Sequence, residues 1–520
     1  MATKALDNRF GRVKFNQTKF GVSAPYPSLA WGLEIDWDGD GYFDGANESN
    51  RLVGFNGFRG RRAMIKPDGS GFEIVETGQY TFTLDNSDYR YTPWNGSSPL
   101  YPNVVTGKDV KLRVRDRNGT AVYAIFRGIL QDITPISGNG GEPRVQLTVE
   151  DAWAYLRNNK ARVPVAASIT TDAAIGKILD AVDWPARWGR NLDVSTDVIA
   201  YHWASGQNAA GLEIENLVYA GAGIFLIDAR GRARYITRTD IPASVLSLTE
   251  ADFLKDVAPQ VPWLNSRNAI RMTVHPMTKA ATGVIWLLSG TAPRIPPGSA
   301  NALVFTANYS YNNQACSAMN VLQPVAGAGN DWQTNSVADG SGSDQTSGCT
   351  FVVVDNGDNA LCIVTNNTGN DVYLLPGAKI HGEAVYTQDS LEAGYPKNAA
   401  SLKSPRELKL DSPWQQDLNT ATDLMTVLGP FFASNRPVVV AHIQNRSDIQ
   451  FIPDLFDIIT ASFPTLGLGA NSYRVSGIGH QTQDEGCQDI LTTLYLEPYA
   501  TVQNAGIYDT SVYDTGTYGW

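Results

Sequence analysis

The feature that most constrains the fold of this chain is a series of short segments between Arg61 and Leu156 in which apolar and polar residues alternate. Three short segments alternate most clearly, with apolar residues at every second position: Tyr80, Phe82 and Leu84; Val110, Leu112 and Val114; and Val145, Leu147 and Val149. A period of two with one apolar face is typical of a half-buried antiparallel strand. This part of the chain therefore predicts four or five short β-strands joined by turns.

The same region carries a composite sequence pattern, TFTLDN…DYRYTP…SSPLYPNVVTGKDVKLRV…YAIFRGILQDITP…VQLTVEDAWAYL. This order of segments resembles the N-terminal domain of bacteriophage tail-tip hub proteins. These minor tail proteins are related in fold to the baseplate hub of contractile-tailed phages. The resemblance implies a mainly β fold with two hub β-barrel domains, a small α+β helix–hairpin module between them and an inserted β-sandwich. An unrelated β-barrel with similar turns is the alternative.

With 520 residues the chain is too long for a single hydrophobic core, so several domains are expected. Patterning and resemblance together predict six parts. They are an extended leader (1–30), a first hub barrel (31–160), an α+β connecting module (165–255), a second hub barrel (256–282 plus 393–499), an inserted β-sandwich (283–392) and a tyrosine-rich C-terminal repeat that docks on a partner (500–520). Strands of the inserted part are predicted at 302–307, 350–354, 360–365 and 372–375.

Helical periodicity predicts three longer helices. Thr171 is expected to cap a helix that buries Ile175, Ile178, Leu179 and Val182. A second helix is expected near residues 212–219, and a hairpin with its turn at 228–231 follows it. Asn419 or Thr420 is expected to cap a third helix, and Gly429–Pro430 is expected to end it.

Composition excludes several classes of function. Only 18% of residues are charged and the net charge is −11, which argues against a surface that binds nucleic acid. No run of eighteen apolar residues predicts a membrane-spanning helix, and the N-terminus has no secretory signal pattern. The chain has four cysteines, and none of them has the spacing of a zinc site: Cys316, Cys349, Cys362 and Cys487. A disulfide between Cys316 and Cys349, or between Cys349 and Cys362, is one alternative. Reduced thiols are the other, and a cytosolic origin favours them.

An acidic loop follows the first predicted strand. Aspartates stand at alternate positions of the sequence DWDGDGYFD, from Asp36 through Asp38 and Asp40 to Asp44. Their oxygens, with the carbonyl of Tyr42, match the start of a calcium loop, and calcium is the one cofactor that the sequence suggests. Position twelve is Asn47 and no helices flank the loop, so an EF-hand is excluded. The alternative is a solvated acidic turn, because Asp and Gly are ordinary turn residues.

The chain lacks the sequence motifs of serine hydrolases, zinc proteases and phosphate-binding loops, so no catalytic residue is predicted and the protein is not expected to be an enzyme. Five histidines are scattered, and the His381–Glu383 pair is interpreted as a surface pair. Three copies of a five-residue unit close the chain, centred on Tyr508, Tyr513 and Tyr518. They are too few for a solenoid.

The leading functional prediction is a structural virion protein at the distal tail tip, assembled in the host cytoplasm. By resemblance it forms a homotrimeric ring that closes the tail tube, contacts the distal tail protein ring and other tip proteins or fibres, and lets DNA pass through the lumen without specific binding. Two alternatives remain open. One is a carbohydrate-binding adhesin that uses 283–392 to bind a host surface glycan, and the other is a tail-associated cell-wall hydrolase.

Overall fold

A computed structural model describes residues 28–499, except 44–46, 63–64, 67, 74, 120, 139–140, 239–241, 255–256, 261–266, 396–405 and 434–436. The predicted leader and C-terminal repeat thus lie almost wholly outside the described residues. Within them the chain forms thirty-one strands and four α-helices, which confirms the mainly β class. None of the helices in this part of the chain is long and apolar enough to cross a membrane.

Six antiparallel strands form the first β unit. They are β1 (Ala30–Ile35), β2 (Leu52–Gly60), β3 (Glu76–Asp85), β4 (Asp109–Arg115), β5 (Val122–Ile136) and β6 (Arg144–Glu150). Their spatial order is β1-β4-β5-β6-β3-β2. Strands β4, β5 and β6 are neighbours both in sequence and in the sheet, whereas β1 pairs with β4 and β6 pairs with β3 across longer stretches of chain.

The predicted alternation is confirmed in this unit, since its apolar positions are fully buried. Tyr80 lies opposite Val149 and Phe82 opposite Leu147, and all four side chains belong to one core. The Tyr80 ring stacks on Phe126 of β5 at a centroid distance of 4.3 Å. Burying one such aromatic side chain stabilises the fold by roughly 1.5–3 kcal/mol, so these cross-strand pairs fix the register.

An α+β segment follows. It contains α1 (Trp153–Asn158), β7 (Lys160–Thr170), α2 (Thr171–Ala181), β8 (Arg190–Leu192), β9 (Val198–Ala209), α3 (Ala210–Gly221), β10 (Ile224–Ile227) and β11 (Ala233–Ile236). The predicted helices and the β10–β11 hairpin are confirmed, with the turn closed by the Gly231 amide donating to the Asp228 carbonyl. The cap of α2 differs from the prediction, because Thr170 precedes the helix and its side chain makes no capping hydrogen bond.

The chain then forms β12 (Ser244–Thr249), β13 (Ala258–Gln260) and β14 (Ala269–Val274) before an inserted β region. The inserted strands are β15 (Met277–Leu287), β16 (Arg294–Ile295), β17 (Leu303–Asn308), β18 (Ser310–Tyr311), β19 (Gln314–Ala315), β20 (Ser317–Met319), β21 (Thr334–Asn335), β22 (Cys349–Asp355), β23 (Asn359–Asn366), β24 (Val372–Leu374) and β25 (Lys379–Thr387). They share a core of their own, and each strand predicted there is present. Three cysteines lie in this core as free thiols: Cys316, Cys349 and Cys362. Cys487 is also a buried free thiol, but it belongs to the core of the first β unit.

A small sheet and one helix follow the insertion: β26 (Leu391–Tyr395), β27 (Glu407–Asp411) and α4 (Leu418–Ala433). Strand β14 lies between β26 and β27, and these strands share a core with α4. The sequence assigned them to the second barrel, but the structure places them in a separate sheet. Their apolar faces pack against α4.

The ends of α4 also differ from the prediction. The Asp417 carboxylate accepts hydrogen bonds from the backbone amide and hydroxyl of Thr420, both at 2.8 Å, so the capping group lies before the helix. The helix continues past Gly429–Pro430 to Ala433. A β-carbon on Gly429 would lie 2.3 Å from the Tyr395 ring, so this glycine permits close packing of helix on strand. The expected stop signal therefore serves as a packing position.

The second β unit consists of β12 and β13 with β28 (Val438–Gln444), β29 (Ile458–Phe463), β30 (Leu468–Thr482) and β31 (Ile490–Pro498). Strand β12, which the sequence placed in the connecting module, pairs in parallel with β29. Strand β30 pairs with β29 and β31, and its C-terminal part also pairs with β2 from Asn56 to Gly60. One twelve-stranded sheet thus contains both β units, each with its own core.

Candidate functional site

The acidic loop after β1 brings three of its predicted ligands together. Carboxylate oxygens of Asp36, Asp38 and Asp40 all lie within 4.8 Å of one another. The Tyr42 side chain is 69% exposed, and Asp44 lies outside the described residues. Among the residues that the structure describes, this is the one group of three or more metal-ligand side chains that converges.

Local hydrogen bonds explain much of this geometry. The two carboxylate oxygens of Asp36 accept from the amides of Gly39 and Gly41, each at 2.9 Å, and Asp40 accepts from the Tyr42 amide at 2.7 Å. Both glycines have positive φ angles, +79° and +87°, which glycine adopts without strain. The loop is therefore a well-formed Asx-type turn whether or not a cation binds.

Electrostatics couple the first two aspartates. Burial and the hydrogen bond with Asp38 raise the pKa of Asp36, whereas the hydrogen bonds from Asp36 and from the Asp40 amide lower the pKa of Asp38. The Lys108 charge further lowers the pKa of Asp38, and its ammonium lies 3.2 Å from the position that a β-carbon on Gly39 would occupy. The oxygen donors suit Ca²⁺, but a lysine already offsets their charge, and the calcium site stays a prediction.

The structure brings together one serine, one histidine and one aspartate that are far apart in sequence. His275 Nε2 lies 2.7 Å from Asp411 Oδ1, and Ser390 Oγ lies 3.4 Å from His275 Nδ1. In a serine-hydrolase triad the aspartate is buried and holds the histidine Nδ1, while Nε2 faces the serine. Here the nitrogens are used the other way round and the Asp411 side chain is 67% exposed. The arrangement fits a surface hydrogen bond between histidine and aspartate better than an activated serine nucleophile.

The other four histidines have separate structural roles. His202 packs against Trp414 and His480 bonds to Thr492, and burial lowers the pKa of each histidine to about 3. His442 bonds to a threonine on β31. In the His381–Glu383 pair, His381 contacts Asp331 at 3.2 Å while Glu383 binds Lys279 at 2.6 Å. The two side chains of this pair therefore serve different partners.

A long surface loop of the first unit, residues 86–103, is a series of tight turns that we call the turn loop. Backbone amides at every third position, from Tyr89 to Tyr101, donate to the carbonyl three residues earlier. The loop exposes Tyr89, Trp94 and Tyr101 at 56%, 76% and 55%. The sequence signal for this regularity is the recurrence of turn-forming Asn86, Asn95 and Ser98 at multiples of three.

The inserted region exposes an apolar sheet face, which we call the insertion face. In the sheet β17-β23-β22, Val304 and Val352 flank Ile363 in one row. In the next row Val354 lies beside Leu361, and the three valines are 45–56% exposed. Solvent-facing sheet surfaces are usually polar, and a contiguous apolar patch marks an interaction site. The sequence signal was three consecutive valines, 352–354, which make both faces of β22 apolar.

Comparisons with known proteins find similarity among solved structures. The 43 kDa tail protein of prophage MuSo2 from Shewanella oneidensis is 10% identical and matches 90% of this chain and 98% of its own, with a TM-score of 0.47. A tail protein from Neisseria meningitidis MC58 is 7% identical over 91% and 96%, with a TM-score of 0.47. Prophage tail protein gp18 from Listeria monocytogenes is 7% identical over 90% and 95%, with a TM-score of 0.41. No family model matches the sequence, nor does any curated protein.

Proposed function

We propose that this chain is a structural protein of a bacteriophage tail tip, a hub that assembles as a homotrimer and closes the distal end of the tail tube. The observation that carries the proposal is the twelve-stranded sheet in which two β units of one chain lie side by side. The sequence resemblance implies two hub barrels in one chain, and the presence of two β units, each with its own core, supports this.

The pairing of β2 with β30 favours a rigid double unit. Five residue pairs join the strands, from Asn56 opposite Gln481 to Gly60 opposite Gly477. Because each unit also has its own core, one chain presents two β units joined by backbone pairing. Three copies around a threefold axis place six units in a ring, and closed cyclic symmetry leaves no unpaired contact surface.

Two exposed surfaces suit the contacts that such an assembly needs. The turn loop offers Tyr89, Trp94 and Tyr101, and aromatic residues of this kind are enriched in protein interfaces. The insertion face offers aliphatic side chains, which favour a protein partner of the tip over a host glycan. We therefore assign the distal tail ring, tail tube and other tip proteins or fibres as partners. The net charge of −11 suits a lumen through which DNA passes without binding.

The mass of the full chain in solution tests the proposal. Light scattering and native mass spectrometry are expected to give three times the chain mass, or a larger multiple of three. Trp94→Ala in the turn loop is expected to weaken the assembly, whereas Trp37→Ala is unsuitable because that ring is buried. A matched control is Leu466→Ala, an exposed side chain in a short turn of the second unit. A monomer at all concentrations up to those of tail assembly contradicts the hub assignment.

A further inference from the structure

A cavity of about 180 Å³ lies where four parts of the fold meet. The segment between β2 and β3 forms one wall, and α3 with the start of β10 forms the second. Helix α4 contributes a third wall, and the ends of β30 and β31 close the fourth. An apolar cavity of about 150 Å³ can hold a benzene molecule, so this one has room for an aromatic ring.

Six of the residues that line the cavity are aromatic. Phe72 stacks on Tyr219 with ring centroids 6.2 Å apart and an interplanar angle of 9°, and it also contacts Phe432 at 5.9 Å. On the other side Trp153 packs against Phe225 at 5.1 Å. Aromatic side chains attract a further ring in offset-stacked or edge-to-face arrangements. The walls therefore suit a phenol or phenyl ring.

Six charged side chains line the cavity: Arg61, Arg238 and Arg474 with Glu73, Glu215 and Glu497. Arg61 is paired with Glu497 and Arg238 with Asp197. Arg474 also lines the cavity, but no carboxylate of the described residues lies within ion-pairing distance of it, and its buried Nε makes no hydrogen bond. Its guanidinium lies over the Tyr499 ring at 4.8 Å. A carboxylate beside this guanidinium would complete its pairing.

Chain beyond Tyr499 supplies groups of this chemistry. Tyr499 lines the cavity, and residues 500–520 continue from that point. This segment contains two Tyr–Asp pairs, Tyr508–Asp509 and Tyr513–Asp514, and no lysine or arginine. Nine residues span at most about 30 Å when extended, so the first pair can fold back into a cavity that starts at Tyr499. A short tether also raises the effective concentration of the segment at its own cavity.

We propose that the C-terminal repeat of this chain docks in its own cavity, with a tyrosine ring between Phe72 and Phe225 and the following aspartate facing Arg474. The juxtaposition of aromatic wall residues, an arginine without a carboxylate partner among the described residues, and the start of a Tyr–Asp repeat carries this inference. It does not depend on the tail-tip assignment, because it concerns contacts within one chain.

Peptide binding tests the docking. A chain ending at Tyr499 is titrated against a fluorescent peptide of residues 505–520, and saturable binding is expected. Replacing Tyr508, Tyr513 and Tyr518 by alanine should weaken binding by at least about tenfold, as loss of a buried aromatic anchor does. Replacing Thr510 and Thr515 by alanine is the matched control and should change little. Equal binding of all three peptides, or none, overturns the proposal.

Hydrogen exchange and cross-linking test the same contact in the full chain. Removing residues 500–520 should speed amide hydrogen exchange in α3 and α4 beside the cavity. The double variant Asp509→Asn with Asp514→Asn should increase the exchange rate by a smaller amount, and it changes no residue of the folded part. A disulfide between Tyr508→Cys and Val427→Cys should form within one chain; only interchain cross-links, or unchanged exchange, contradict docking. The truncated chain is still expected to form trimers, so failure of docking and failure of the hub assignment are distinguishable.

Discussion

Arg61 and Glu497 form a two-point ion pair between the chain just after β2 and strand β31, with Nε–Oε1 and Nη2–Oε2 distances of 3.1 and 2.7 Å. Both residues are buried, at 8% and 2% exposure. The pair thus bridges the two β units beside a backbone hydrogen bond from the Arg61 amide to the Ser476 carbonyl, at 2.8 Å. A buried pair with two parallel hydrogen bonds fixes geometry as well as charge.

We expect Arg61→Met to destabilise the protein by about 3–5 kcal/mol, because it leaves the Glu497 carboxylate buried without a partner. Denaturant unfolding of the full chain measures the change. The double variant Arg61→Met with Glu497→Leu should recover most of the loss. The matched control is Arg51→Met, which breaks the exposed pair with Asp88 and should cost at most about 1 kcal/mol. Equal losses for both single variants contradict this role of Arg61.

Stability should depend on pH through Asp151. Burial raises the pKa of this carboxyl from 3.8 to about 7, although the amides of Gly78 and Trp153 and the charge of Arg59 partly offset the rise. The folded state therefore binds the proton more tightly than the unfolded state. The free energy of unfolding should fall as pH rises from about 4 to 7.

Urea unfolding of wild type and Asp151→Asn between pH 4 and 8 measures this dependence. The variant loses one accepted hydrogen bond, at a cost of about 1 kcal/mol, and is expected to be the less stable protein near pH 4. Ionisation of Asp151 destabilises wild type by more than this as the pH approaches 7, so the variant should become the more stable protein there. Asp68→Asn changes an exposed turn aspartate and is the control, with no such trend across that window. A constant difference between wild type and Asp151→Asn would falsify the assignment of a raised pKa.

The calcium prediction requires Asp36, Asp38 and Asp40 to act together. If the loop holds Ca²⁺, calorimetry should detect one weak site, with a dissociation constant of about 0.1–1 mM as in extracellular modules. Asp38→Asn should abolish it, and Lys108→Met should tighten it because a competing cation is removed. Asp339→Asn, in an exposed turn of the insertion, is the control. No heat of binding at millimolar calcium leaves the loop an acidic turn.

The hydrolase alternative predicts a reactive Ser390. Because Asp411 is exposed and the histidine nitrogens are reversed, we expect no labelling of Ser390 by a fluorophosphonate probe. We also expect no release of fragments from peptidoglycan above the level given by Ser390→Ala. His275→Ala should likewise leave this background unchanged. Labelling of the wild-type protein that is lost in both variants would support the hydrolase alternative.

Sequence periodicity predicted local structure well and long-range assembly less well. Tyr80 and Val149 could be placed on buried faces because alternation reports burial directly. The end of α4 could not be predicted from the sequence. Gly429 is a typical helix-ending residue, and only the structure shows that it is needed for close packing against the Tyr395 ring. The separate sheet around β14 also escaped prediction, because its strands come from segments that flank a long insertion.

In the candidate sites, too, contacts between sequence neighbours were predictable and contacts between distant residues were not. Asp36, Asp38 and Asp40 are neighbours in sequence, so their convergence was predictable from spacing. His275 and Asp411 are 136 positions apart, and only the fold brings them together. The insertion face left a trace in three successive valines, but its extent depends on how β17 and β22 align beside β23.

The pairing of β2 with β30 has a consequence for synthesis of the chain. The edge of β2 that contains Asn56 stays uncovered until Gln481, more than four hundred residues later, has been synthesised. At about 5–20 residues per second this delay lasts roughly 20–80 s. During that time the nascent first unit carries an open strand edge, which is a template for pairing with other chains. Slow translation or early termination should therefore favour aggregation of N-terminal fragments over their independent folding.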